Sequence, residues 1–175
     1  ASSFFAGNGR KGVPGLVVSA LLQQNPLMIY AGQEYGERGM DKEGFSGHDG
    51  RTTIFDYWSV DTLVRAATRK LTAEEQALKA IYDKVLGIAV SQQTVIAGNC
   101  FDLMYANGHL QRQYAFLRKA GKEVLLVIVD FADNTTMVDV NIPAHAFDYL
   151  KLKEKNAIAV IARSEERRVG KECRS

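Results

Sequence analysis

Hydrophobic positions recur at helical spacing in two stretches of the first half of the chain. Pro14 suits the first turn of a helix, and the apolar residues around it share one face: Val13, Leu16, Val17, Ala20 and Leu21. Thr72 to Glu75 fits a capping box. Behind it, apolar residues follow the spacing of an amphipathic helix: Leu78, Ile81, Tyr82, Val85, Leu86 and Ile88. Two amphipathic helices are therefore predicted. A short helix through Ala67, capped by Ser59 or Thr62, is predicted before the second.

A short apolar run lies between these helices and ends in a glycine-rich polar turn. Leu27 to Tyr30 follows Pro26, is too short for an independent helix and lacks polar alternation. These features predict a strand buried on both faces, as in parallel sheets. Residues just past the carboxyl end of such a strand line the ligand-binding face of the sheet, which makes Gln33, Glu34 and Tyr35 candidates for a site.

The hydrophobic period changes after about Ser91, from helical to strand-like. Four strand-like runs follow, separated by turn residues: Phe101–Asn107, Gln113–Arg118, Glu123–Phe131 and Thr136–Ile142. A fifth run, Ala157–Ala162, precedes the end of the chain. Val124 to Val129 is apolar throughout, which predicts the central strand. The sequence therefore predicts an α/β segment over residues 1–95 and a small all-β unit over residues 96–162.

Two motifs carry a resemblance to a known family. Pro26 to Gly36, Pro-Leu-Met-Ile-Tyr-Ala-Gly-Gln-Glu-Tyr-Gly, resembles the eighth barrel strand of the alpha-amylase family of glycoside hydrolases. Gly50 to Trp58 is similar to the Arg-x-Pro-x-x-Trp stretch that follows it there, with Thr53 at the position of the proline. The resemblance covers roughly residues 1–155.

The resemblance implies a fragment of a larger enzyme. Residues 1–95 would be the last part of a (β/α)8 barrel, and residues 96–162 a small antiparallel β-sandwich domain. The whole enzyme would act on α-glucans, starch or maltooligosaccharides, by a retaining mechanism with two carboxyl groups. All its catalytic carboxylates would lie upstream of Ala1, so no catalytic residue is assigned and the chain alone is expected to be inactive.

The same resemblance gives four residues that would bind substrate or anchor the loop: Gln33, Glu34, Arg51 and Trp58. Glu34 could hydrogen-bond near the floor of the sugar cleft, or pair with a basic side chain and order the loop. Trp58 could stack on a sugar face or pack against the barrel wall, and packing is the commoner use of large aromatic side chains.

Charge adds one correction to this picture. Of the net charge of +2, all comes from residues 163–175, which hold five basic and three acidic residues. Those thirteen residues resemble the in-frame translation of a sequencing-library adapter, so they are excluded from fold analysis as a non-native tail. Without them the charges balance, and no nucleic-acid partner is predicted.

Metal and membrane sites are not expected either. Only Cys100 remains once the tail is set aside, and the three histidines are scattered without metal-ligand spacing. The resemblance allows calcium in a full-length enzyme, but the carboxylates of residues 34–43 match no calcium loop, so no cofactor is assigned to this chain. No apolar run is long enough to span a membrane.

A second hypothesis belongs to a different class of protein. Residues 96–162 could be a non-catalytic carbohydrate-binding or structural β module. Aromatic residues on one exposed face would favour binding, whereas Phe101, Tyr105, Tyr114, Phe116 and Phe131 alternate along the sequence as core residues do.

Overall fold

The computed structural model of the protein describes residues 8–37, 60–134 and 136–152. Its helices in these ranges are α1 (Val13–Leu21), α2 (Asp61–Ala67), α3 (Ala73–Ser91), α4 (Gln93–Ile96) and α5 (Ala144–Leu150). Its strands there are β1 (Asn99–Asp102), β2 (Gln113–Ala120) and β3 (Glu123–Asp130). Short 3-10 turns occupy Gly9–Gly12, Gln33–Tyr35 and Met104–Ala106.

The two amphipathic helices are confirmed. Pro14 lies in the first turn of α1, and Leu16, Ala20 and Leu21 are buried. At the start of α3 the Thr72 hydroxyl accepts from the Glu75 amide at 3.2 Å, and the Glu75 carboxylate accepts from the Thr72 amide at 2.9 Å. This is the predicted capping box, which pairs two amide groups that the helix itself leaves unpaired.

The strands form an antiparallel sheet in the order β1-β2-β3. Cys100 faces Arg118 across β1 and β2, and Phe116 faces Val127 across β2 and β3. The central strand is therefore β2, and the prediction that Val124–Val129 is central is wrong. In β2 the residues Ala115 to Arg118 are all buried, whereas Ile128 of β3 is 46% exposed. Because β2 contains the charged residue Arg118, its hydrophobicity pattern does not indicate that the strand is buried.

The sheet is covered on both faces. On one face, Phe116, Val127 and Val129 pack in one cluster with buried residues of α1, α3 and α4. On the other face, Ala115 and Leu117 pack with Ala146 and Leu150 of α5. The first cluster joins the helical segment to the sheet segment across residue 95. A (β/α)8 barrel followed by a β-sandwich stays a prediction.

Arg118 ties the helices to the sheet. Its guanidinium is 3% exposed and donates to three backbone carbonyls: Leu22 at the end of α1 at 2.7 Å, Thr94 at 3.0 Å and Val95 at 2.7 Å. Carbonyls at helix C-termini lack intrahelical partners and carry partial negative charge. One buried cation therefore satisfies the end of α1 and two carbonyls of α4.

Residues 26–30 differ from the prediction. They form no regular secondary structure, and Leu27, Met28 and Tyr30 are 37%, 83% and 48% exposed. A strand needs a neighbouring strand for its hydrogen bonds, and none of the described strands pairs with this segment. The prediction of a buried strand is wrong within this chain.

The predictions after β1 also need correction. The predicted strand Phe101–Asn107 ends at Asp102 and continues as the turn Met104–Ala106. Residues 136–142 form no strand, and the Asn107 side chain holds them instead, donating to Asn141 O at 2.8 Å and accepting from Asn141 N at 2.6 Å. Helix α5 was not predicted. The predicted strand 157–162 and the tail 163–175 lie outside the described residues.

Replacing Arg118 should show how much its three hydrogen bonds contribute to the stability of the protein. We expect Arg118→Met to lower the free energy of unfolding by about 3 kcal/mol, because three buried carbonyls lose a charged donor. Arg118→Lys should lose less, since one ammonium group keeps the charge but lacks the planar fork. Urea unfolding followed by circular dichroism measures both. Arg112→Met, an exposed position, is the control, and equal effects at 112 and 118 would contradict the role of Arg118.

Gly98 should tolerate no side chain. A Cβ there would lie 2.1 Å from the carbonyl oxygen of Thr94 and 2.8 Å from that of Lys119, both backbone atoms. We expect Gly98→Ala to cost about 1–3 kcal/mol or more. The matched control is Gly87→Ala in the middle of α3, where a Cβ meets nothing within 4 Å and should stabilise the helix by about 1 kcal/mol. Thermal unfolding of both variants tests the pair, and a harmless Gly98→Ala would refute the packing.

Candidate functional site

The predicted site begins at a tight turn with a glycine at each end. Gly32 and Gly36 flank Gln33–Tyr35 and have φ values of 84° and 77°. These left-handed conformations are strained for residues with a Cβ, which accounts for both glycines of the motif. Amides of Tyr35 and Glu37 donate to Gly32 O at 3.0 and 2.9 Å and close the turn. A Cβ at Gly9 would lie 3.0 Å from Gly36 Cα, so the turn also packs against the start of the described chain.

Gln33 fixes this turn to helix α3. Its amide nitrogen donates to the Tyr82 hydroxyl at 3.1 Å, and its amide oxygen accepts from Tyr30 N at 3.3 Å. Tyr82 is 1% exposed. Burial raises the pKa of Tyr82, and the hydrogen bond from Gln33 partly opposes that rise. Gln33 therefore has a positioning role, holding the end of the motif on the core.

Glu34 is partly exposed, and its charge acts on Lys79 of α3. Lys79 and Asp83 form an exposed ion pair at 2.6 Å on α3. Asp83 is the main cause of a raised pKa at Lys79, and Glu34 adds a smaller contribution. Both uses weighed for Glu34, a hydrogen bond to sugar and electrostatic ordering of the loop, agree with this placement.

Glu37 carries a contact that the sequence did not predict. Its carboxylate accepts from the Thr62 amide at 2.8 Å and from the Thr62 hydroxyl at 2.5 Å. This caps the N-terminus of α2, where Val60 supplies no side-chain cap. Arg65 of α2 donates in turn to Glu75 of α3 from Nε at 3.1 Å, which holds the pKa of Glu75 below its ordinary value.

The turn is thus held from two sides. Gln33 binds it to α3, and Glu37 binds it to α2. Arg51 and Trp58, the other two predicted site residues, lie outside the described residues. The structure consequently brings Gln33 and Glu34 together on one anchored turn, and their relation to Arg51 and Trp58 stays a prediction.

A separate groove of about 440 Å³ lies between α1 and one end of the sheet. It is lined by Val18 and Leu22 of α1, by Tyr114 of β2, by Phe131 and by neighbouring polar residues. Neither Gln33 nor Glu34 is among its lining residues. The groove is open to solvent.

No metal site or membrane span is visible in the described part of the chain. Across residues 8–37, 60–134 and 136–152, no three metal-binding side chains come together. No helix of those ranges combines the length and apolar character that crossing a bilayer requires.

Comparison with known proteins adds no relative: no protein-family model, curated protein or solved structure matches this chain. The family resemblance therefore depends on the two motifs themselves.

Sequence inspection missed two residues that position the site. Tyr82 had been assigned only to the hydrophobic face of α3, because its ring follows the helical spacing, yet its hydroxyl binds Gln33. Glu37, one of the carboxylates of residues 34–43, had no role assigned from the sequence. Its position one residue past the second glycine of the motif, before a helix without its own cap, is the feature that could have identified it.

The environment of Tyr114 should lower the free energy of unfolding at alkaline pH. Burial, together with the hydrogen bond from its hydroxyl to Asp102 at 2.8 Å, raises its pKa from 10.0 to about 12. The unfolded chain loses this proton first. The contribution of Tyr114 is therefore complete below pH 10.0 and falls as the pH rises towards about 12.

We expect Tyr114→Phe to flatten that alkaline fall in the free energy of unfolding, as measured by urea unfolding at pH values on both sides of 10.0. Tyr149→Phe changes an exposed tyrosine and serves as the control. An unchanged slope in Tyr114→Phe would contradict the assignment.

Proposed function

We propose that this chain is the C-terminal part of an alpha-amylase-family glycoside hydrolase that cleaves α-glucosidic bonds in starch or maltooligosaccharides. The observation that carries the proposal is the stretch Pro26 to Gly36. Its residues match the motif of the eighth barrel strand, and its two glycines occupy left-handed positions around Gln33 and Glu34. The backbone geometry gives a physical reason for those residue types at that spacing.

The contacts of the turn support a role at the edge of a sugar cleft. Gln33 is held by the buried hydroxyl of Tyr82, and Glu37 is held by the N-terminus of α2. Both anchors leave Glu34, between them, partly exposed. A carboxylate presented from a rigid turn can hydrogen-bond a sugar hydroxyl at little entropic cost.

The reaction itself would take place on residues outside this chain. A retaining mechanism uses one carboxylate as nucleophile and another carboxyl group as acid and base, about 5–5.5 Å apart. Both would come from upstream barrel strands. Residues 8–152 would complete the barrel and form the following domain, so the chain by itself binds at most part of a substrate.

A chimeric enzyme tests this proposal. Residues 1–162 would replace the corresponding C-terminal part of an alpha-amylase-family enzyme whose upstream barrel is complete. We expect hydrolysis of maltoheptaose with retention of anomeric configuration, followed by proton nuclear magnetic resonance. The upstream part alone and a chimera lacking its catalytic nucleophile are the controls, and both should be inactive.

A chimera that folds, as judged by circular dichroism, but hydrolyses no α-glucan would overturn the proposal. Within an active chimera, Glu34→Gln separates the two roles of that residue. A rise in KM with little change in kcat indicates contact with sugar. A loss of thermal stability with unchanged kinetics indicates ordering of the loop.

A further inference from the structure

Four aromatic rings form one exposed cluster on the sheet segment, far along the chain from the turn at Gly32. We call it the aromatic surface; its residues are Phe101, Tyr105, His145 and Tyr149. The ring of Phe101 lies 6.2 Å from that of Tyr105, 5.1 Å from that of His145 and 5.7 Å from that of Tyr149, centre to centre. Tyr105 and Tyr149 are nevertheless 61% and 59% exposed.

Three different elements place these rings together. Phe101 belongs to β1, Tyr105 to the turn Met104–Ala106, and His145 and Tyr149 lie four residues apart on α5. Side chains at i and i+4 share one helix face, so the two α5 rings are neighbours by construction. The Tyr105 hydroxyl lies 2.8 Å from Nε2 of His145, which joins the turn to the helix.

The framework beneath the rings is rigid. Leu103, Ala146 and Leu150, next to the exposed rings in sequence, are buried in one cluster. Asn107 is fully buried, and its amide joins the turn to Asn141, just before α5. Exposed rings held on such a framework lose little conformational entropy when a ligand covers them.

The chemistry of the aromatic surface favours a neutral ligand that carries both apolar faces and hydroxyl groups. Aromatic faces are electron-rich and attract weakly positive C–H groups, and tyrosine adds a polar tip at the edge of each ring. A pyranose ring has this combination. Single exposed apolar residues are ordinary, whereas a cluster of large rings marks an interaction site.

Charge disfavours the other ligands that stack on aromatic rings. Nucleic-acid bases stack on tyrosines, but such sites use basic residues to track the phosphates. Here exposed Asp148 and exposed Lys151 lie on either side of Tyr149 along the chain, and the chain without residues 163–175 has balanced charges. The rings therefore lack the excess of basic side chains that a polyanion needs.

From this geometry we infer that the aromatic surface is a carbohydrate-binding site for α-glucan chains, separate from the cleft at Gln33 and Glu34. The inference that the sugar is an α-glucan rests on the proposed function. The ring cluster itself does not. The site would hold a polysaccharide on the enzyme while the cleft acts on another part of it, which raises the effective concentration of the substrate.

Binding by the 175-residue chain tests the inference without any catalysis. Native gels cast with amylopectin should retard the wild-type chain relative to plain gels. Tyr105→Ala and Tyr149→Ala should each weaken binding about tenfold and largely abolish the retardation, because each removes a stacking ring. Tyr105→Phe keeps the ring and should keep most of the binding.

Phe131→Ala is the matched control, since Phe131 is a 47% exposed aromatic residue outside the aromatic surface. It should be retarded like the wild type, and circular dichroism should show all variants folded. Gels containing a β-1,4-glucan and a fluorescent single-stranded oligonucleotide are the competing probes.

Each outcome decides between the two proposals. No retardation by amylopectin, or equal retardation of the wild type and both alanine variants, overturns the aromatic surface and leaves the chimera test of hydrolysis standing. Retardation by β-glucan but not amylopectin overturns the α-glucan assignment. A shift of the oligonucleotide that depends on Tyr105 and Tyr149 would overturn it in favour of nucleic acid. An inactive chimera with tyrosine-dependent retardation would refute the hydrolase alone.

Discussion

The buried guanidinium of Arg118 is the interaction on which the rest of the described structure depends. It lies in the central strand, and its hydrogen bonds reach the end of α1 and two carbonyls of α4. A buried cation is costly unless hydrogen bonds compensate it, and helix C-termini provide carbonyls with the right partial charge. The hydrogen bonds of Arg118 therefore fix the ends of α1 and α4 against the sheet. The hydrophobic cluster of α1, α3 and the sheet packs between them.

The two faces of the sheet position different parts of the chain. On the helical side, α3 carries Tyr82, and one hydrogen bond from Gln33 to its hydroxyl joins the glycine turn to the core. On the other side, Asn107 replaces a strand by binding both backbone groups of Asn141. These two hydrogen bonds fix the chain just before α5. Helix α5 then places the rings of His145 and Tyr149 against Phe101.

The sequence predicted what depends on local periodicity. The capping box at Thr72, the apolar faces of α1 and α3 and the strands around the turn at Gly121 follow from residues a few positions apart.

The predictions were wrong where contacts between residues far apart in sequence determine the local structure. Leu27 to Tyr30 has the composition of a buried strand, but no described strand pairs with it. Residues 136–142 are strand-like in sequence, but the buried Asn107 amide binds the backbone of Asn141, and no feature of the segment indicates that contact. Of the candidate site, Gln33 and Glu34 could be named from the motif, whereas Tyr82 and Glu37 act through contacts across 49 and 25 positions of sequence.

The contact between Arg118 and Leu22 joins residues 96 positions apart, and this separation has a kinetic consequence. The entropic cost of closing a loop must be met before the contact stabilises the fold, so contacts between residues far apart in sequence slow folding. During synthesis α1 leaves the ribosome long before β2 does. The last carbonyl of α1 and its apolar face therefore stay without these partners until β2 has been synthesised.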